Sequence, residues 1–198
     1  MKNYKVIAES ELLDFEVNVN TIEEAQECFN DCIEQPNYYR IVAVSNETGE
    51  ILAIYAGARD YMRKTGNPTQ WTSGYPDEAT VLADMAAERL YVLCEGDELY
   101  GVFALLESGD PDYNKIDGAW LNSLPYAAMH RVASAGKRGG VVAECVNYVL
   151  SRFSDVRIDT HEDNIPMQRA LERFGFVKCG IVYITRAGER IAYHYHKS

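Results

Sequence analysis

The chain has 198 residues, 47% of them hydrophobic and 25% charged, and a formal net charge of −11. This length suits one domain of ordinary size, and the composition is typical of a soluble globular protein. The negative charge argues against nucleic acid as a partner and favours cationic ligands such as amines. No apolar run approaches the ~20 residues of a membrane helix. The N-terminus lacks the apolar region of a signal peptide, so we expect a cytoplasmic protein with no membrane partner.

Apolar periodicity predicts a mixed α/β chain. Alternation predicts a strand at 12–19, and a capping box at Thr21–Glu24 begins a helix that ends near residue 34. Up to residue 107, the sequence then predicts a strand at 38–45, a helix at 51–66, a loop at 67–76, a short helix capped by Asp77, and strands at 89–95 and 98–107 joined by a turn at Gly96-Asp97. After residue 107, it predicts a loop at 108–125, a strand at 126–134, a helix at 140–153, a strand at 156–161, a helix from Asn164 to Phe174, and a hairpin of 176–184 with 189–196.

Two of these helices are predicted from their apolar faces. The first has apolar residues at helical spacing, which favours a helix over a hairpin strand: Ile51, Ile54, Tyr55, Ala58 and Met62. The short helix after Asp77 carries Val81, Leu82 and Met85 as its apolar residues.

The elements divide the chain into an extension at 1–37 and a domain at 38–198. The extension, a strand and a helix with apolar faces, has no assigned role; it either extends the sheet or forms a homodimer contact. The five cysteines are odd in number and scattered, which predicts no disulfide framework. Cys28 and Cys32 lie one helical turn apart, but no nearby histidine or second cysteine pair completes a zinc set, so we predict no metal.

The stretch HRVASAGKRGGVVAEC at 130–145 places a basic, glycine-rich turn between a strand and a helix. Free N–H groups at a helix N-terminus attract anions, and glycines allow close backbone approach, so such a turn can hold a pyrophosphate. Neither the Walker pattern nor the dinucleotide fingerprint is present. The alternative is a glycine-rich connection with solvated cations.

With its surroundings, this turn resembles the GNAT superfamily of acetyl-CoA-dependent N-acyltransferases. The family's phosphate signature, Arg/Gln-x-x-Gly-x-Gly/Ala, falls on 137–142. Gly140 matches, Lys137 replaces arginine or glutamine, and Val142 replaces the small last residue. A second signature, an asparagine before a helix ending in GF, matches Asn164 to Phe176. Over about residues 39–193, further motifs resemble a subgroup of small bacterial GNAT proteins: GNPTQW at 66–71, YP at 75–76, HRVAS at 130–134, DTHEDN at 159–164 and CGIVY at 179–183.

The resemblance implies a mixed, largely antiparallel sheet with splayed central strands and flanking helices. It also implies direct transfer of an acetyl group from acetyl-CoA to a primary amine on a small molecule or a peptide. The residues it assigns to acetyl-CoA are Arg131, Val132, Ala133, Lys137, Arg138, Gly139, Gly140, Val141, Val142, Ala143 and Asn164. Among these, backbone N–H groups at 137–143 would hold the pyrophosphate, and those of strand 130–134 would polarise the thioester carbonyl.

Four residues are the catalytic candidates. Many family members use a tyrosine near the GF turn as the acid, but Phe174 stands there, so Tyr183 becomes a candidate acid. For the base, His130 lies on the expected splayed strand, and Asp159 and His161 lie two apart near a strand end, facing one side. A structural role for each of these side chains is the alternative.

Aromatic residues predict the acceptor side. Loop 67–76 covers the acceptor in this fold, so Gln70, Trp71 and Tyr75 are expected to line the amine pocket, and Trp120 is a further candidate. An aromatic wall suits a cationic amine; a hydrophobic lid packed on the core is the alternative. The rival function is a non-catalytic CoA-binding sensor or interaction module, favoured by the missing tyrosine and by Val142.

Overall fold

The computed structural model describes residues 4–9, 14–19, 48–95 and 98–197. At the N-terminus, β1 (Tyr4–Glu9) and β2 (Asp14–Val19) pair antiparallel, with Tyr4 opposite Val19. The prediction of a strand at 12–19 is confirmed for β2, whereas β1 was not expected. The predicted helix at 21–34, the strand at 38–45, the Cys28/Cys32 pair and the turn at Gly96-Asp97 lie outside the described residues.

Seven further strands form one mixed, open sheet in the order β3-β4-β6-β7-β9-β8-β5. All neighbours are antiparallel except β6 and β7, which are parallel. The strands are β3 (Leu90–Glu95), β4 (Glu98–Leu106), β5 (Ile116–Gly118), β6 (Ala127–Ser134), β7 (Asp155–Thr160), β8 (Val177–Ile184) and β9 (Gly188–His196).

Among the described residues, four α-helices accompany the sheet: α1 (Thr48–Lys64), α2 (Glu78–Ala86), α3 (Val141–Arg152) and α4 (Ile165–Arg173). The four predictions of helix in this part of the chain are confirmed. No described helix is long and apolar enough to cross a bilayer.

The core has one layer on each face of the sheet. Alternate residues of β3 show the division: Tyr91 and Leu93 join the cluster that contains α3, and Leu90 and Val92 join the cluster that contains α1. Helices α1 and α2 therefore cover one face of the sheet, and α3 and α4 cover the other, as a sheet buried on both sides requires.

Helix α2 begins as predicted but presents a different face to the protein. Asp77 Oδ1 accepts from the Thr80 amide at 2.9 Å, so the predicted cap is confirmed. Val81 is buried, but Leu82 is 49% exposed and Asp84 is 1% exposed. Leu82, one of the apolar residues named for this helix, thus faces solvent, while Asp84 lies in the interior and forms ion pairs with two arginines.

The segment 108–125 is not wholly a loop, contrary to expectation. It contains a 3₁₀ helix (Pro111–Asn114) and the three-residue strand β5. Asp110 caps the 3₁₀ helix by accepting from the Asp112 amide, and Pro111 suits its first turn. Strand β5 is too short to show a periodicity in sequence; its pairing with β8 defines it.

The central strands part beyond their first residues. β6 and β7 are in register only at Ala127↔Val156 and Ala128↔Arg157. A bulge follows on β6: His130 pairs with Ala104 and Ala133 with Val102, so Phe103 faces two residues, Arg131 and Val132. Arg131 has φ 53°, a left-handed conformation that costs a non-glycine residue about 1–3 kcal/mol.

Candidate active site

A cleft of about 500 Å³ opens where β6 and β7 part. Its walls come from the β6 bulge, the end of β7, helix α2, the loop at 67–76 and the β8–β9 hairpin. Both His130 and Arg131 line it, although neighbouring residues of a regular strand face opposite sides. The bulge is the reason, because it interrupts the alternation that sequence analysis assumed.

A histidine between two carboxylates lies in this cleft. His130 Nε2 is 2.9 Å from Asp110 Oδ2, an ion pair rather than an aligned hydrogen bond, and Nδ1 is 3.4 Å from Asp159 Oδ1. Burial alone would lower the pKa of His130, but Asp110 and Asp159 outweigh it and raise the pKa above its ordinary value of 6.5. Tyr113, which is fully buried, donates to Asp159 Oδ1 at 2.6 Å and so orients that carboxylate.

A third carboxylate, that of Asp84, stabilises the β6 bulge at Arg131. Asp84 accepts from Arg131 Nε at 2.8 Å and from Arg131 Nη2 at 3.0 Å, a bidentate pair. Arg89 Nε donates to Asp84 Oδ1 at 2.7 Å, and Arg131 Nη1 donates to the Tyr75 hydroxyl at 3.2 Å. These charge-assisted bonds stabilise Arg131 in its left-handed conformation, and one carboxylate thereby serves two guanidinium groups.

The basic glycine turn leads from β6 into α3. Gly140 is the N-cap of α3 with φ 88°, and no side chain caps that end of the helix. A Cβ at Gly140 would meet only a carboxylate oxygen of Glu144, at 3.9 Å, so the turn is open to a ligand. Val142 is half-buried and packs against the core cluster of α3, so its side chain does not fill the turn. Glycine freedom and an uncapped helix N-terminus suit a pyrophosphate.

The two cations of the turn are engaged with acidic side chains. Arg138 Nη2 donates to both oxygens of Glu144 at 2.7 Å, and its guanidinium lies 3.6 Å from the centre of the Tyr100 ring. Lys137 forms an exposed ion pair with Glu98. Backbone N–H groups, rather than these side chains, are therefore the donors that the turn offers to an anion.

Hydrogen bonds hold the loop at 67–76 against the N-terminus of α4, at one side of the cleft. Gln70 Oε1 accepts from Asn67 Nδ2 at 2.6 Å and from Asn164 Nδ2 at 2.8 Å. Asn164 also caps α4, its Oδ1 accepting from the Met167 amide at 3.3 Å. Trp71 is 9% exposed and packs edge-on against Tyr55, so this loop is a lid packed on the core that also lines the cleft.

The structure gathers about half of the residues predicted from sequence and leaves the others elsewhere, and the roles assigned to them remain predictions. Those that line the cleft are Gln70, Trp71, Tyr75, His130, Arg131, Val132, Asp159 and Asn164. Ala133 packs in the core layer that contains α1. The turn at 137–143 lies after the end of β6, outside the cleft lining.

Three predicted residues are placed away from the cleft lining. Tyr183 is 42% exposed on β8, with Lys115 over its ring. Trp120 packs against Tyr113 and donates to its carbonyl oxygen at 3.1 Å. His161 Nε2 lies 3.2 Å from Thr69 Oγ1, so it contacts the lid, and Asp159 pairs with His130 instead.

Further charged residues line the cleft and were not predicted from the sequence: Asp84, Arg89, Asp110, Asp112, Arg186 and Arg190. Asp110 carried one local signal, since an acidic residue before Pro111 is a typical cap. Asp84 and Arg89 are only five positions apart, but the contacts that bring them and Arg190 to the cleft are distant: Asp84 meets Arg131 47 positions away, and Arg190 meets Gln70 120 positions away.

Outside the cleft lining, a second cluster joins Asp155 on β7 to His194 and His196 on β9. His194 is fully buried; its Nδ1 accepts from the Leu121 amide at 3.2 Å and its Nε2 lies 3.2 Å from Asp155 Oδ1. Burial and the charge of Arg157 lower the pKa of His194 below 6.5, despite Asp155. The described residues contain no group of three or more His, Cys, Asp or Glu side chains suited to a metal ion.

Comparison with known proteins identifies relatives among solved structures. An acetyltransferase of the GNAT family from Streptococcus agalactiae 2603 is 31% identical, with a TM-score of 0.68 over 77% of this chain and 91% of that one. A putative acetyltransferase from Staphylococcus aureus Mu50 is 25% identical, with a TM-score of 0.55 over 75% of this chain and 91% of that one. No protein-family model and no curated protein matches the chain.

Proposed function

The chain belongs to the GNAT family of acetyltransferases, and we propose that it transfers an acetyl group from acetyl-CoA directly to a primary amine bound in the cleft. One observation carries the proposal. β6 runs from the cleft to the uncapped N-terminus of α3, so one strand links an amine-sized cavity to an anion site. From His130 to the turn at Gly136, an extended chain spans about 20 Å.

Donor binding uses main-chain groups. The N–H groups of the first turn of α3 hold the pyrophosphate, because they have no intrahelical acceptor. The open edge of β6, beyond the two pairs that it makes with β7, offers further backbone donors. Those at the Arg131 bulge are assigned to the thioester carbonyl, whose developing negative charge they stabilise.

Proton transfer is assigned to the cleft side chains. His130 accepts the proton of the attacking amine, and Asp110 and Asp159 stabilise the imidazolium that results. The Tyr75 hydroxyl, rather than that of Tyr183, donates to the leaving sulfur, because Tyr75 lines the cleft and Arg131 stabilises the tyrosinate that forms.

Calorimetric titration with acetyl-CoA tests the donor site. We expect micromolar binding to the wild type and at least ~10-fold weaker binding to Gly140→Asp than to Gly140→Ala. The two variants share the strain of a side chain at φ 88°, so the difference between them reports the added charge. The donor assignment fails if the wild type does not bind, or if both variants bind equally.

Release of free thiol with a panel of amines separates an enzyme from a CoA-binding module. The enzyme releases thiol in proportion to acetylated amine. Acetyl-CoA binding without thiol release from any amine would instead support the sensor.

A further inference from the structure

Arg190 is a buried cation in the cleft without a carboxylate partner in the described part of the chain. It is 6% exposed and lines the cleft from β9. Its Nη2 donates to the Gln70 carbonyl at 3.1 Å and its Nη1 to the Glu189 carbonyl at 2.7 Å. Both acceptors are neutral, and a guanidinium has five N–H donors, so donors remain for an anionic group. The charge of Asp159 acts on Arg190 without forming an ion pair, and burial still lowers the pKa of Arg190. A buried charge is costly unless it is paired, which points to an anion supplied by the ligand.

The charges of other cleft residues also favour a ligand with an anionic group. Asp84 is shared by Arg89 and Arg131, so that group carries one more positive than negative charge. Arg89 uses only Nε in its contact with Asp84, and both its Nη groups are without a partner among the described residues. Arg186, from the β8–β9 hairpin, lines the same cleft.

The opposite sign is gathered around the histidine. Asp110 and Asp159 carry two negative charges, which exceed the single positive charge that His130 can carry. The cleft lining therefore contains an acidic group at His130 and, apart from it, the arginines Arg89, Arg186 and Arg190, with Asp112 hydrogen-bonded to Thr185 beside Arg186. A plain amine or a diamine satisfies the acidic group and supplies no anion to the buried Arg190.

We propose that the acceptor is an amino acid, whose amine is held at His130 while its carboxylate pairs with Arg190. This rests on the proposed acetyl transfer. The planar guanidinium suits a carboxylate because it binds both oxygens at once. Arg190 is then a specificity residue for the acceptor, in addition to holding the lid through Gln70.

The test uses L-amino acids, each paired with its C-terminal amide, which keeps the amine and side chain but removes the negative charge. With acetyl-CoA and the full-length protein, thiol release gives kcat/KM for each. We expect the best acids to exceed their amides in kcat/KM by at least ~10-fold, and Arg190→Gln to reduce this acid-to-amide ratio by ~10-fold or more, even where loss of the Gln70 contact lowers both values. Arg190→Lys, which keeps the charge, should restore part of the preference.

The acid-to-amide ratio is independent of the fraction of folded protein, so it distinguishes recognition from damage to the lid. Arg173→Gln, which removes an exposed arginine on α4, is the matched control and should leave the ratio unchanged. A wild type that prefers amides, or an Arg190→Gln variant that loses both activities equally, overturns the proposal while acetyl transfer stands.

If no acid or amide releases thiol, the proposed transfer to amino acids fails. Calorimetric titration of the same pairs into CoA-saturated protein then decides the binding claim. Tighter binding of acids that Arg190→Gln abolishes supports a carboxylate site at Arg190; equal binding of acids and amides overturns it.

Discussion

Strand β7 carries an aspartate near each end, and the histidines beside these aspartates have pKa shifts of opposite sign. Asp155 lies where β6 and β7 are paired, and Asp159 lies where they have parted. At the closed end, the Leu121 amide donates to His194 Nδ1 and burial lowers the pKa of that histidine. At the open end, both nitrogens of His130 face carboxylates and its pKa is raised. In each histidine one ring nitrogen lies near an aspartate, and the other nitrogen distinguishes the two. In His194 it accepts from a backbone N–H, which suits a structural role, whereas in His130 it faces a second carboxylate, which suits a base.

The largest expected effect is on activity. His130→Gln should lower kcat/KM for thiol release by about 100-fold or more, since it removes the proton acceptor. His194→Gln, measured per amount of folded protein, should lie within ~3-fold of wild type, because His194 is outside the cleft lining. Equal losses in the two variants would contradict the division of roles.

The next effect is on stability and concerns the carboxylate that braces the bulge. Asp84→Asn leaves Arg89 and Arg131 without a negative partner and should reduce the free energy of unfolding by about 3–5 kcal/mol. Asp60→Asn, at an exposed ion pair with Arg63, is the control and should cost about 0.5 kcal/mol or less. Urea denaturation measures both; a small loss in Asp84→Asn would mean that the bulge needs no such brace.

A third prediction concerns pH. His130 has a raised pKa in the folded state, so its contribution to stability is complete below pH 6.5 and is lost as the pH rises through the folded pKa. His194 has a lowered pKa, so its contribution is present above pH 6.5 and is lost as the pH falls toward the folded pKa. Unfolding free energies from about pH 5 to 9 should thus flatten on the alkaline side in His130→Gln and on the acidic side in His194→Gln. Histidine NMR titration that gives both residues the same pKa would refute the comparison.

The smallest effect is expected within the second cluster. The side chain of His196 is 38% exposed, and Asp155 still accepts from Asn122 when the imidazole of His196 is removed. His196→Gln should therefore lower the free energy of unfolding by less than about 1 kcal/mol. His194→Gln should cost about 1–3 kcal/mol, since it disturbs a buried acceptor of the Leu121 amide. Thermal unfolding measures the loss of stability in both variants. A larger loss in His196→Gln than in His194→Gln would show that His196 contributes more to the stability of the cluster.

Much of the architecture was predictable because its signals are local. The Asp77 and Asn164 caps, the apolar stripe of α1 and the alternation in β3 each depend on residues within one or two turns of one another. The open sheet with parted central strands followed from the family resemblance, and the pairing of β6 with β7 confirms it.

The residues that make up the cleft were predicted only in part. His130, Asp159 and Tyr75 were found by their chemical type and by their position in resembling motifs. Asp84 was overlooked as a charged residue within an apolar pattern, and of its two arginine partners only Arg89 is near in sequence, Arg131 being 47 positions away. Asp159 and His161 were predicted only to face one side of the same strand; in the structure Asp159 pairs with His130 on the neighbouring strand.

Helix ends, strand lengths and the glycine turn are written in short stretches of the sequence, because capping, periodicity and backbone freedom act between near neighbours. Tertiary structure decided which charges meet. It turned His130 and Arg131 into the same cleft through one bulge, and placed Asp110 opposite His130 and Asp84 against two arginines. Such contacts depend on strand register and helix docking, in which a shift of one residue brings a different side chain into the cleft.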